Sequence, residues 1–156
     1  MPRFRIRLAA VAICLAACSA FVATPASADV ADASRSSEFD QSSTGSAPSD
    51  RICVSYATAS ACFKKYGDQI WVRDTEWSEH PQAIGEWENW LFDGSQWNLY
   101  RKGYCYRLYE TDWGVCNKDF YEDTTTNYFG GQGSRIYWRA CSFDGCSAWT
   151  NVRNDG

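Results

Sequence analysis

The sequence predicts an all-β fold: a small, disulfide-braced domain of the sandwich-like or partly closed barrel type. Short segments rich in Val, Ile, Tyr, Phe and Trp alternate with turn signals such as Gly67-Asp68, Asp93-Gly94 and Asp144-Gly145. The cysteines after position 50 come in closely spaced pairs, which is common in small secreted domains. Short strands at regular spacing with such turns are typical of sandwiches and barrels.

The first 28 residues (1–28) are predicted to be a signal peptide. Three arginines between positions 3 and 7 precede an apolar run over residues 8–22, and small residues follow at Ala26-Ser27-Ala28. The competing interpretation is a bacterial lipobox at Leu15-Ala16-Ala17-Cys18, in which Cys18 would be lipidated and would anchor the chain at the cell surface. Because the apolar run continues past this cysteine, cleavage at the later site and a secreted, extracellular protein are favoured.

The charge of the mature chain argues against nucleic acid as a partner. The full sequence has 15 Lys and Arg against 19 Asp and Glu, and three of the arginines lie in the signal peptide, which leaves 12 basic residues and a net charge of −7. Binding of DNA or RNA requires a basic surface, and an anionic membrane would also repel this chain. We therefore expect no nucleic-acid partner, and no membrane association unless Cys18 carries a lipid.

A polar spacer is predicted to precede one domain. Residues 29–50 are rich in Ser, Ala, Asp and Gly, with Phe39 as their only aromatic, so they lack the apolar surface that would offset the entropy of ordering. The single β domain then spans residues 51–153. Within it, residues 81–92 carry apolar side chains at helical spacing, but a strand through residues 84–92 fits an all-β neighbourhood better. We favour the strand and leave one short helix open.

Six cysteines remain once the signal peptide is removed, and neighbours in sequence are predicted to pair. Cys141 and Cys146 flank a four-residue connection, Ser142-Phe143-Asp144-Gly145. In that connection Gly145 can take the left-handed conformation and set the two sulfurs face to face, within the reach of a disulfide.

The other two predicted disulfides are Cys105–Cys116 and Cys53–Cys62. Cys105 and Cys116 can face each other across a turn near residues 110 and 111, as a staple at the base of a hairpin. The remaining pair closes a segment whose middle, Ala57-Thr58-Ala59, lacks the usual turn residues Gly, Pro, Asn and Asp.

Four motifs are distinctive as a set: GDQIWVRD at residues 67–74, RKGYC at 101–105, WGVCNKDF at 113–120, and ACS at 140–142 followed by Cys146. With the export signal, this set resembles a group of small secreted proteins of actinobacteria, over most of residues 51–153. The resemblance implies an extracellular compartment and a β fold. The group has no assigned activity, so no catalytic residue is carried over.

Candidate catalytic and metal-ligating residues are few. His80 is the one histidine, and the mature cysteines are expected to be paired. The sequence therefore predicts no zinc site and no Cys-His nucleophile, and no cofactor is expected. Glu86 and Glu88 would share one face of a strand, and paired carboxylates are what a glycosidase requires. In a chain this acidic, adjacent carboxylates usually form a solvated face, so a small hydrolase using these two residues is a remote alternative.

The aromatic load is the feature that points to binding. The sequence holds eight Trp and nine Tyr, which is more than a core of this size needs, so some of these side chains should be exposed. Trp87, Trp90, Trp97 and Trp113 are the candidate ligand-binding residues. We expect a non-catalytic binding module for an extracellular ligand, polysaccharide or cell-wall glycan before protein. The alternative is a secreted inhibitor or protein-interaction domain that presents residues 106–115 as a disulfide-closed loop.

Overall fold

The computed structural model describes residues 37–76 and 82–155, which form two β-sheets packed as a sandwich. The predicted signal peptide, the lipobox cysteine and His80 lie outside the described residues. In chain order the strands are β1 (Ser37–Gln41), β2 (Ser43–Thr44), β3 (Ile52–Tyr56), β4 (Ala59–Lys64), β5 (Gln69–Asp74), β6 (Gln82–Phe92), β7 (Trp97–Leu108), β8 (Gly114–Asn117), β9 (Ser134–Ser142), β10 (Gly145–Cys146) and β11 (Thr150–Asn154).

The two sheets have different strand orders. The first sheet runs β1-β7-β6-β9-β10, with β11 also paired to β9, and the second runs β2-β8-β5-β4-β3. Strand β1 lies parallel to β7, whereas the other pairings are antiparallel. The prediction of an all-β sandwich is confirmed. The described residues contain no helix, and hence none long and apolar enough to span a membrane.

Strand β6 settles the ambiguous segment in favour of the strand. Residues along Gln82–Phe92 alternate strictly between buried and partly exposed, which is the period of a strand with one face on the core. Gly85 and Trp87 face inward, while Glu86 and Glu88 face outward. The helical spacing of the apolar residues was therefore misleading, because the inward face also includes small and polar residues that the apolar pattern alone leaves out.

The core lies between the facing sheets and is largely aromatic. The ring of Trp87 meets the ring of Phe120 edge-on at a centroid distance of 5.4 Å, and Phe63 lies 5.6 Å from Trp138. All four side chains are at most 2% exposed. Burying a large apolar side chain stabilises a fold by about 1.5 to 3 kcal/mol, so these rings are a principal part of what holds the sheets together.

The three predicted disulfides are present, and they are consistent with an extracellular protein. One detail of the prediction is wrong: Cys105 and Cys116 do not close a hairpin. Cys105 lies on β7 in the first sheet, whereas Cys116 lies on β8, which pairs with β5 and β2 in the second sheet. The chain between them crosses from one sheet to the other, so this disulfide joins the sheets.

The other two disulfides each connect directly opposed residues of a hairpin. Cys141 pairs with Cys146 and Ser142 with Gly145, so the connection is tighter than predicted, with two residues outside the ladder. Cys53 faces Cys62 across β3 and β4, and the turn uses Ala57 at a positive φ of 48°. An alanine without glycine, asparagine or aspartate neighbours thus makes the turn that sequence signals did not indicate.

The predicted spacer differs from the structure over residues 37–44. These residues form β1 and β2, one in each sheet, and the chain changes sheet at Ser42. Strand β1 approaches β7 closely at Gly103, where an added Cβ would lie 2.6 Å from the carbonyl oxygen of Glu38 and 2.8 Å from Trp87. Polar composition was a poor guide here, because β1 is held by ion pairs rather than by apolar burial.

Candidate functional site

The outward side of the first sheet carries a group of aromatic and charged side chains that we call the aromatic face. It is formed by outward-facing residues of four neighbouring strands and by one residue of the segment before β11. Its members are Phe39, Glu86, Glu88, Trp90, Tyr104, Tyr106, Tyr137, Arg139 and Trp149.

One row of this face runs straight across the strands. Phe39 pairs with Tyr104, Tyr104 with Glu86, and Glu86 with Arg139, each pair directly opposed on adjacent strands. The guanidinium of Arg139 then lies over the ring of Trp149, 4.6 Å from its centroid. The row therefore has aromatic rings at both ends and one ion pair in the middle.

The first end of the row is its most exposed part. The ring of Phe39 is 71% exposed and stacks on Tyr104, with a centroid distance of 5.0 Å and an interplanar angle of 23°. Its neighbour Glu38 holds β1 in place by accepting hydrogen bonds from Arg101 and from Lys118. Asp40 pairs with the same lysine, so the charges on the inner side of β1 fix the position of the phenylalanine on its outer side.

The middle of the row is a short ion pair. The guanidinium of Arg139 donates to a carboxylate oxygen of Glu86 at 2.6 Å, and both side chains are partly exposed. The indole of Trp149 covers the arginine and is 37% exposed. A carboxylate accepts and a guanidinium donates, so the centre of the row offers both kinds of polar contact next to flat apolar rings.

A second part of the face lies beside this row. The indole Nε1 of Trp90 donates to Glu88 at 2.8 Å, and its ring lies 5.9 Å from that of Tyr137. Glu86 and Glu88 share the outward face, as the sequence predicted. Each is engaged, the first with Arg139 and the second with Trp90.

The four predicted tryptophans lie in four different environments. Trp87 is fully buried between the sheets, so the prediction that it binds a ligand is wrong, because its ring belongs to the core. Trp90 lies on the aromatic face. Trp97 lies at the far end of the same sheet, 5.3 Å from Phe92 and 4.8 Å from the guanidinium of Arg135.

Trp113 belongs to neither the core nor the aromatic face. It lies in the segment before β8, with the guanidinium of Arg51 at 4.6 Å and that of Arg73 at 5.8 Å from its centroid. Both arginines are within the usual range for a cation–π contact. Contacts with two arginines therefore engage this ring, and it is not part of the aromatic face.

Several residues of the face were missed by sequence reasoning. Phe39 was assigned to the spacer, and Tyr104, Tyr137 and Trp149 were not singled out. A signal was present for part of the set: Glu86, Glu88 and Trp90 are spaced two apart, so an outward face defined by the two glutamates includes this tryptophan and excludes Trp87.

The loop that carries the alternative hypothesis is organised around a buried arginine. Arg107 is 5% exposed and forms ion pairs with Glu110 and Asp112. Tyr109 projects from the same loop, with its side chain 65% exposed and a positive φ of 61°. Both loop carboxylates thus pair with Arg107 of the domain while remaining about half exposed, and Tyr109 adds an exposed aromatic ring to this loop.

Metal coordination is not supported by the groups that come close together. Within residues 37–76 and 82–155, the cluster with suitable spacing is Glu86 with Cys141 and Cys146. These two sulfurs are bonded to each other, and a metal requires thiolates.

Comparison of the chain with protein-family models, curated proteins and solved structures finds no match.

Proposed function

We propose that this chain is a secreted, non-catalytic binding module whose aromatic face binds polysaccharide or cell-wall glycan. In this proposal the signal peptide exports the chain from an actinobacterial type of cell, and cleavage after Ala28 releases it. Because the mature chain is acidic, we expect neither nucleic acid nor an anionic membrane to be its ligand.

The observation that carries the proposal is the row from Phe39 to Trp149. Sugar rings have apolar faces and polar edges. An aromatic side chain offers a flat apolar face on which such a ring can stack. Between the rings, Glu86 and Arg139 offer an acceptor and donors that suit hydroxyl groups. The row lies on a sheet, and such rigid elements position a binding surface accurately.

The experiment is retention of the oxidised mature protein on insoluble polysaccharides and purified cell walls, with tryptophan fluorescence to report contact. Retention with a spectral shift is expected for the wild-type chain. Phe39→Ala and Trp149→Ala should each reduce it, since both rings are exposed ends of the row. The matched control is Tyr66→Ala, because Tyr66 is 65% exposed but lies in the β4–β5 turn of the second sheet.

Two results would count against the proposal. One is an absence of retention on any glycan, and the other is an equal loss in the Tyr66→Ala control. The first would favour the alternative, a secreted inhibitor or protein-interaction domain, and the second would show that glycan binding does not depend specifically on the aromatic face. The exposed Tyr109 beside the Arg107 ion pairs favours that second candidate, and Tyr109→Ala should then abolish capture of a protein from the culture supernatant.

The place of release can be tested separately. The N-terminus of the exported protein, read by mass spectrometry, should begin at Asp29. A chain that begins at a lipidated Cys18 would make the protein a cell-surface lipoprotein, and the same aromatic face would then act at the surface of the cell that made it.

A further inference from the structure

One end of the sandwich contains a cleft that is separate from the aromatic face, which we call the end cleft. It lies between the β4–β5 turn, the start of β7 and the segment after β8. Its volume of about 450 Å³ is within the range of small-molecule sites. The lining residues are Asp68, Tyr100, Arg101, Asp119, Phe120, Tyr121, Glu122 and Thr125.

Tyrosine rings form one wall of the end cleft. The rings of Tyr100 and Tyr121 lie 6.1 Å apart, and Tyr128 stacks on Tyr100 with a centroid distance of 5.4 Å and an interplanar angle of 25°. Tyr128 is 53% exposed, so this wall extends outward from the cleft. Aromatic faces of this kind suit a flat ring or a cation.

The charge of the end cleft is negative. Arg101 is the one basic residue among those that line it, and its guanidinium is already engaged by Glu38 at 2.7 Å and by the carbonyl oxygen of Asp119 at 3.0 Å. Among the described residues, neither Asp68 nor the Asp119 carboxylate forms an ion pair with a basic side chain. The cleft is therefore set up for a cation rather than for an anion.

Asp68 supports the assignment of a cation to this cleft. The buried carboxylate of Asp68 accepts hydrogen bonds from the backbone N–H of Phe120 and from the amide of Asn154, both at 2.9 Å. Burial raises the pKa of Asp68, so its charged form lacks full compensation.

We propose that the end cleft binds a sugar ring that carries a primary ammonium group. The ammonium has three donors and one positive charge, which match the carboxylates of Asp68 and Asp119. The sugar ring stacks on the tyrosine wall. This site goes beyond the proposed function and does not depend on it, because none of its residues belongs to the aromatic face.

The test compares three small ligands by amide NMR titration of the oxidised mature protein near pH 6.5. Glucosamine has both the ring and the ammonium, N-acetylglucosamine has the ring without the charge, and ethanolamine has the ammonium without the ring. Glucosamine should shift the amides of residues 119–122 and bind about tenfold or more tightly than either of the others, as expected for a charged hydrogen bond in a partly buried site. Equal binding of N-acetylglucosamine or of ethanolamine would overturn the proposal, as would no binding of glucosamine.

Two variants and one matched control test the location. Asp119→Asn should weaken glucosamine binding, and Asp144→Asn, which removes the same charge from an exposed turn between β9 and β10, should not. Tyr128→Ala tests the wall independently, since this ring is half exposed and its removal should leave the fold intact. If Asp119→Asn and Tyr128→Ala both bound glucosamine as tightly as the wild type does, the assignment would be overturned.

The same variants separate this proposal from the glycan-binding face. Trp149→Ala should lose retention on polysaccharide and keep glucosamine binding. Asp119→Asn should do the reverse. A failure of one site therefore leaves the other testable.

Discussion

Cys105 and Cys116 join the two sheets of the sandwich through a disulfide whose Cα atoms lie 5.9 Å apart. Both residues are buried, at 0% and 5% exposure. The bridge lies at the edge where β7 ends in one sheet and β8 begins in the other. At the same edge the chain changes sheet a second time at Ser42, so two crossings and one disulfide fix the spacing of the sheets there.

Removal of this inter-sheet disulfide should destabilise the domain strongly. In the double variant Cys105→Ala, Cys116→Ala, the free energy of unfolding should fall by about 3 kcal/mol from the lost constraint on the unfolded chain. A further loss is expected because two buried sulfurs leave space in the core. Urea unfolding followed by tryptophan fluorescence measures the change.

The matched control is the double variant Cys53→Ala, Cys62→Ala. The two disulfides close segments of similar length, with sequence separations of 9 and 11, so loop closure alone predicts nearly equal losses. Cys53 is exposed, however, and its bridge lies within one sheet. We expect the smaller loss for this control, and an equal loss in both double variants would contradict a special role for the inter-sheet bridge.

Local features of the fold could be predicted from the sequence, and long-range ones could not. The disulfide partners are near neighbours in sequence, so spacing was enough to pair them. Strand β7 was bounded by turn signals at each end. Whether β8 joins the sheet of β7 or the opposite sheet depends on its pairing with β5, more than 40 residues earlier in the chain, and no local pattern encodes that choice.

The candidate site has the same limit. Phe39 stands in a polar segment, and it is ordered because Glu38 meets Arg101 and Lys118, which lie 63 and 80 residues away in sequence. Alternation along β6 could place Trp87 and Trp90 on opposite faces, but not without first deciding which face is buried. Glu86 and Glu88, which alternate with Trp87 and share the face of Trp90, answer that question, since charged residues are rarely buried unpaired.

The turn at Ala57 offers a route to a more stable protein. Ala57 has a φ of 48°, a left-handed conformation that costs an L-residue about 1 to 2 kcal/mol. Glycine avoids that cost but is more flexible when unfolded, by about 0.4 to 1 kcal/mol, so Ala57→Gly should stabilise the domain by roughly half to one kcal/mol. Thermal unfolding of the variant checks this.

The control for that substitution is Ala148→Gly. Ala148 is also exposed, but its φ is not positive, so glycine should only add flexibility to the unfolded chain and should lower stability. If both glycine variants were destabilised alike, the conformation of the β3–β4 turn would not be a source of strain.

The proposed glycan-binding row predicts a dependence on ligand length. Phe39, Tyr104, Glu86 and Arg139 lie on four adjacent strands, so the row spans three interstrand spacings, or about 14 Å. Affinity measured by calorimetry should rise with oligosaccharide length until the ligand covers the row, and then level off. Phe39→Ala should shorten the length at which it levels off, whereas an affinity independent of length would contradict binding along the row.

The attachment of β1 should depend on pH through Glu38. Burial alone would raise the pKa of Glu38, but hydrogen bonds from Arg101 and Lys118 outweigh it, so the pKa lies below its ordinary value of 4.5. A carboxylate with a lowered pKa in the folded state stabilises the fold above its unfolded pKa, and this contribution is lost as the pH falls through the folded pKa. Acid should therefore weaken the attachment of β1 to the domain.

The variant Glu38→Gln tests this directly. It should be less stable than wild type at neutral pH, and its unfolding midpoint should change less between neutral pH and pH 3, because the titrating group is gone. Glu76→Gln is the control, since Glu76 is exposed and has no ion pair within the described ranges. If Glu38→Gln kept the full acid sensitivity of the wild type, the ion pairs of β1 would not be its source.

Phe39 lies on the same strand as Glu38. Retention on glycan should therefore weaken in acid in parallel with the weaker attachment of β1.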